Sequence, residues 1–282
     1  MSDFAVGKLC HAFDEMLQAF RRCMDISWPR AEIFPGNSPN YDETLRFFVV
    51  QLVQRAEGIH SLIGLGQRWN AETLLRSSSE LFARSLRFGY CKPEDRAALM
   101  KEYWEDLKEL EEVHGFKIAN EVKHFIEPGS FERENLESLT KEGLFPSSTK
   151  LPPHEYRQKW SFSKILDELS ESGDFSAATV LKHQYHYQST LAHGGPWSFY
   201  VQAIATANDL SSPRFARALA ARQLSEAFWF VRIAYLVSLQ AIGHRHQQSD
   251  VLSKTTRRID RWAAMMVSSH QNAEKQDATA KE

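Results

Sequence analysis

Asn40-Tyr-Asp-Glu-Thr-Leu-Arg-Phe-Phe-Val-Val-Gln-Leu-Val-Gln-Arg-Ala-Glu-Gly-Ile-His-Ser-Leu-Ile-Gly64 decides the fold class. Leu45, Phe48, Val49, Leu52, Val53, Ala56, Ile59 and Ile63 return at the spacing of one helix face. Asn40 or Asp42 supplies the N-cap, and Gly64 and Gly66 end the run. A strand would need alternation, and no alternating run of useful length occurs anywhere in the chain.

The same periodicity extends in both directions. Phe4, Phe13, Leu17, Phe20 and Met24 mark a first helix, broken at Trp28-Pro29 and by the Pro35–Pro39 run. A third helix runs from near Asn70 to Tyr90, with Leu74, Leu75, Leu81, Phe82 and Leu86 on one side. Pro93 opens a long charged helix that reaches His114-Gly115 or continues to Ile126. A short helix covers about Phe131 to Lys141, and Leu144 to Pro153 reads as a loop. Another helix spans Phe162 to Leu169. Asp174 is the expected N-cap of a helix running to His193, where Gly194-Gly195-Pro196 stops it. Pro213 starts a long helix to about Gly243, and a last one covers roughly Val251 to Val267.

The expected fold is all-α: a bundle of long antiparallel helices with additional C-terminal helices. One domain is expected over residues 1–269, with a core at 45–199, C-terminal helices at 213–267 and a disordered tail at 270–282. The apolar stretch Ala227 to Gly243 carries Arg232 and is short for a bilayer, so it is expected to be a buried helix. No membrane partner is expected.

The chain has 282 residues, 43% of them hydrophobic, and a formal net charge of -2. That balance argues against general electrostatic binding of nucleic acid, and sequence-specific DNA binding is not expected. It also hides a split. Residues 93–142 carry fourteen acids against seven bases, and residues 213–262 carry nine bases against three acids. Two solvated faces that attract each other, within the fold or across a dimer, account for it. A basic face for RNA is the sharper alternative. Cys10, Cys23 and Cys91 form no C-x-x-C pair, which favours a reducing cytoplasm. Residues 1–10 lack the layout of a signal peptide.

The chemistry concentrates in His183-Gln-Tyr-His-Tyr-Gln-Ser-Thr-Leu-Ala-His-Gly-Gly195. On a helical wheel Val180, Leu181, Leu191 and Ala192 fall on one side. His186, Thr190 and His193 fall on the other, flanked by Ser189 and His183. A helix C-terminus favours protonated histidine, and a histidine that titrates near neutrality can act as general acid or base. His183 and His186 are near the spacing that lets two imidazoles share a cation, but no acid accompanies them, so no metal is expected. A second constellation is Arg76, Glu80 and Arg84, recurring every four residues. Exposed ion pairs along the helix explain it. Alternatively this face meets the helix of His193, with Arg76 or Arg84 binding a phosphate or carboxylate and Glu80 orienting a histidine.

Leu74-Leu75-Arg76-Ser-Ser-Ser-Glu80 and Tyr185-x-x-x-Ser189-x-x-x-His193, taken together, resemble a bacterial helical family known as domain of unknown function 5677, over roughly residues 45–199. That family is distantly similar to the HEPN-like helical domains, many of them ribonucleases or toxin components. The resemblance implies a domain that binds or cleaves RNA in bacterial defence or stress response, often as a homodimer, without metal or cofactor. His193 takes the role of general acid or base, with His186 as polar partner and Ser189 holding the geometry. Arg76 and Arg84 would bind phosphate, with Glu80 and Tyr185 beside them. The chain departs from the HEPN pattern in carrying His186 where an arginine is expected, and histidine lacks the permanent charge and planar fork of arginine. The contrasting expectation is a non-catalytic interaction protein whose Tyr-Ser-His face is a structural hydrogen-bond network.

Overall fold

The computed structural model describes residues 2–27, 39–139, 153–192 and 213–243, and positions 196, 199, 200, 257, 261, 264 and 265. Among these, 88% are helical and none lies in a strand, so the chain is all-α. The expected stop at Gly194-Gly195, the expected loop from Leu144 through Pro152, the tail and most of the last helix lie outside the described residues. The chain divides into two compact units, Met1–Tyr90 with Ile165–Glu282, and Cys91–Lys164.

The first unit is built on α1 (Ser2–Ser27), α2 (Tyr41–Gly64), α3 (Arg68–Gly89), α9 (Ala178–Ala192) and α10 (Pro213–Ala241). Asn40 caps α2 through a reciprocal pair. The Glu43 amide donates to Asn40 Oδ1 at 2.9 Å, and the Asn40 amide donates to Glu43 Oε2 at 2.8 Å. The predicted α2 stripe from Leu45 to Ile63 is buried in full. Gly66 leaves the helix with φ +74°, a left-handed value that suits glycine.

Antiparallel neighbours follow the chain. Arg55 of α2 donates to the Ser77 carbonyl of α3, and the Tyr41 hydroxyl donates to the Phe88 carbonyl. α9 runs back along α3, with Phe175 beside Phe82 and Tyr185 between Arg76 and Glu80. α10 instead lies parallel to α3, since Glu72 meets Gln223, Phe82 meets Phe230 and Gly89 meets Val237 in rising order. Phe82 sits at the centre, 4.9 Å from the Phe230 ring and 5.4 Å from Trp229. Phe20 of α1 packs edge-on against Phe228 and Tyr235. Each such buried ring contributes about 1.5–3 kcal/mol. The α10 face from Ala227 to Leu239 is buried core, as expected. No helix among the described residues is long and apolar enough to cross a membrane.

The second unit contains α4 (Arg96–Lys101), a π-helical turn (Glu102–Leu107), α5 (Lys108–Val122), α6 (Phe131–Leu139) and α7 (Pro153–Lys159). The charged helix therefore passes Gly115, the first of its two expected ends. In the π turn, Glu102 accepts from Trp160 Nε1 at 2.7 Å and from Lys159. Asp106 accepts from Lys101 at 2.6 Å. α8 (Phe162–Glu171) leads back into the first unit, where Ile165, Leu166 and Leu169 are buried.

Two expectations are corrected. Asp174 does not cap α9, which starts at Ala178. Its carboxylate accepts from the Ser172 hydroxyl at 2.6 Å inside the preceding turn. Pro153, placed in a loop by its neighbours, opens α7, because a first-turn proline lacks only an amide that the helix would leave unpaired.

Candidate functional site

Three of the singled-out residues meet across the α3–α9 seam. Arg76 and Glu80 stand one turn apart on α3, with Arg76 Nη2 3.2 Å from Glu80 Oε1. Tyr185 of α9 inserts its hydroxyl between them. It donates to Glu80 Oε1 at 2.7 Å and accepts from Arg76 Nη2 at 3.1 Å. The Arg76 guanidinium also lies over the Tyr185 ring, 5.3 Å from its centre. Burial pushes the Tyr185 hydroxyl above its usual value. The bond to Glu80 and its charge push the same way, against Arg76. Tyr185 is therefore held as a neutral donor, with cation, phenol and carboxylate closed into one circuit.

A deeper cluster lies beside it, where α3, α9 and α10 converge. Gln188, fully buried, accepts from the Ser79 hydroxyl at 3.1 Å and donates to Glu226 Oε2 at 3.0 Å. Arg222 donates to Glu226 Oε1 at 3.0 Å and to Glu72. Gln223 donates to Glu72 Oε2 at 2.8 Å and to the Arg68 carbonyl at 2.9 Å. Burial pushes the Glu226 carboxyl up. Arg222 pulls against that shift, and the Glu72 charge adds to it. Burial works against the charge of Arg222, but Glu226 and Glu72 outweigh it and hold the guanidinium above its ordinary value. Glu72 Oε1 and Gln223 Oε1 are buried without a donor among the described residues.

The other singled-out residues that are described do not join this seam. His183 and His186 are exposed, and the His186 carbonyl accepts from the Thr190 hydroxyl at 2.9 Å. Ser189 is half-buried. Arg84 is half-buried and pairs with no described carboxylate, so the second expected ion pair, Glu80–Arg84, is not formed. His193 lies outside the described residues. The wheel grouped Val180 with Leu181, yet Val180 is 61% exposed and Leu181 is buried, while Gln188 is 0% exposed. No group of three or more His, Cys, Asp or Glu among the described residues is arranged to hold a metal ion.

No family model, no curated protein and no solved structure matches the chain.

Sequence reasoning overlooked Glu72, Gln188, Arg222, Gln223 and Glu226. Two signals were present. Glu72 falls in register with Leu75, Ser79, Phe82 and Leu86 on the packed side of α3, and Glu226 is the single acid within α10. A charge on a core stripe implies a partner, because an unpaired one is costly to bury.

Proposed function

We propose that the protein is a non-catalytic helical interaction protein, in which the Tyr-Ser-His helix forms a hydrogen-bonded seam with α3. One observation carries this proposal: the Arg76–Glu80–Tyr185 circuit spends its charges internally. A phosphate on Arg76 would have to displace a carboxylate already in charge-assisted contact. The second unit supports an interaction role. Phe125 is 90% exposed and Phe131 is 74% exposed, with Ile118 and Val122 also open. They lie in the segment that carries fourteen acids against seven bases. Exposed aromatics among like charges suit a basic partner. The segment 213–262 of a second copy has that charge, so self-association is the favoured form of interaction.

The contrasting proposal is a HEPN-like domain that binds or cleaves RNA, in defence or stress response, with His193 as acid or base and His186 beside it. The solvent exposure of His183 and His186 favours it, since an imidazole must reach its substrate. One experiment separates the two. Wild-type and His193→Ala protein are incubated with a labelled RNA pool without added metal. Neither is expected to cleave. Cleavage by the wild type, lost in a His193→Ala protein of unchanged melting temperature, would establish the ribonuclease instead.

A further inference from the structure

Between α9 and α10 lies a cavity of about 280 Å³. Val180, Leu181, Trp229 and Phe230 wall it, and Gln184, Ser225 and Glu226 are its polar lining residues. Glu226 belongs to the buried cluster, and that cluster is not electrically balanced. It holds two carboxylates, Glu72 at 2% and Glu226 at 11% side-chain exposure, against the single guanidinium of Arg222. Arg68, one turn before Glu72, makes no ion pair with either among the described residues. Burial already raises the Glu226 carboxyl despite Arg222, which is how an under-compensated carboxylate behaves. Each Glu226 oxygen has one protein donor among the described residues, and a carboxylate accepts about four hydrogen bonds. Trp229 offers an indole beside this charge, the ring that attracts cations best.

We propose that this cavity binds a small organic cation, a protonated amine on an apolar body, with the ammonium on Glu226 and the body against Trp229 and Phe230. The ligand supplies the positive charge that the cluster lacks and fills space that the protein leaves open. An anion would face two buried carboxylates. A neutral apolar molecule would fill the space and leave the charge uncompensated. This site stands independently of the scaffold and RNA proposals.

The test is calorimetric titration of the full chain at neutral pH with 2-phenylethylammonium, 2-phenylethanol and 3-phenylpropionate. The ammonium is expected to bind at least about tenfold more tightly than the alcohol, and the carboxylate not to bind. Glu226→Gln should lower ammonium affinity to the level of the alcohol. Ala177→Phe, which fills the cavity from its α9 end and leaves Glu226 with its partners, should abolish both. Absence of ammonium binding, or equal affinity for ammonium and alcohol, overturns the proposal. So does unchanged binding in Ala177→Phe, which decides the matter alone if Glu226→Gln does not fold.

Discussion

Tyr185 concentrates the argument at the scale of a residue, because its hydroxyl is donor to Glu80 and acceptor from Arg76 at once. Its hydroxyl is held above the ordinary value of 10.0 in the folded chain, chiefly by burial and then by Glu80. A folded value above the unfolded one means that the native state keeps its proton longer. The stabilisation is then fully present below about pH 10 and is lost as pH rises through the folded value. Tyr185→Phe is expected to lower the melting temperature at neutral pH. The gap between wild type and variant should narrow above pH 10, as followed by thermal unfolding across pH; a constant gap would mean that the hydroxyl does not couple to folding. Part of this was legible in the sequence. The four-residue spacing put Arg76 and Glu80 on one face, and the motif put Tyr185 on a later helix. The choice between an exposed ion pair and a helix seam was not legible, because periodicity names a face and not its neighbour. Gln188 was hidden for the same reason. Its partners stand 109 and 38 residues away, and nothing local marks a glutamine as buried.

Helix packing explains which glycines matter at the scale of the element. α3 and α10 lie in tight contact at Gly89, where an added Cβ would overlap Val237 Cγ1 and lie 3.6 Å from the Val237 carbonyl carbon. Gly89→Ala is therefore expected to destabilise by about 1–3 kcal/mol, with Val237→Ala restoring part of the loss. Gly58 in α2 contrasts with it. A Cβ there meets only Leu74 Cδ2, at 2.8 Å, the end of a flexible side chain. Gly58→Ala should be neutral or gain up to about 1 kcal/mol through helix propensity. Chemical denaturation of both variants checks the pair; equal costs would contradict the packing of α3 on α10. The α2 stripe and the buried end of α10 were readable from periodicity alone. α7 and the π turn were not, since Pro152-Pro153 reads equally as a loop, and a π turn depends on contacts such as Trp160 to Glu102 that lie 58 residues apart.

The whole molecule joins a helical unit organised by a polar seam to an acidic helical unit with exposed aromatics. In the first unit α2, α3 and α10 pack chiefly on one another, and the α3–α9 seam adds what apolar packing lacks, a fixed register. The Tyr185 hydroxyl reaches Arg76 and Glu80 together, and Gln188 reaches Ser79, in one alignment of the helices, so the seam selects how α9 sits. That is the structural role which the interaction-protein proposal gives to α9. Global unfolding of the full chain reports it through a double-mutant cycle on Glu80→Gln and Tyr185→Phe, measured by chemical denaturation at neutral pH. A structural seam predicts a coupling of about 1 kcal/mol, within the span found for contacting hydrogen-bonded pairs. Effects that add to within about 0.3 kcal/mol would contradict it, and would leave Tyr185 and Glu80 free for another role.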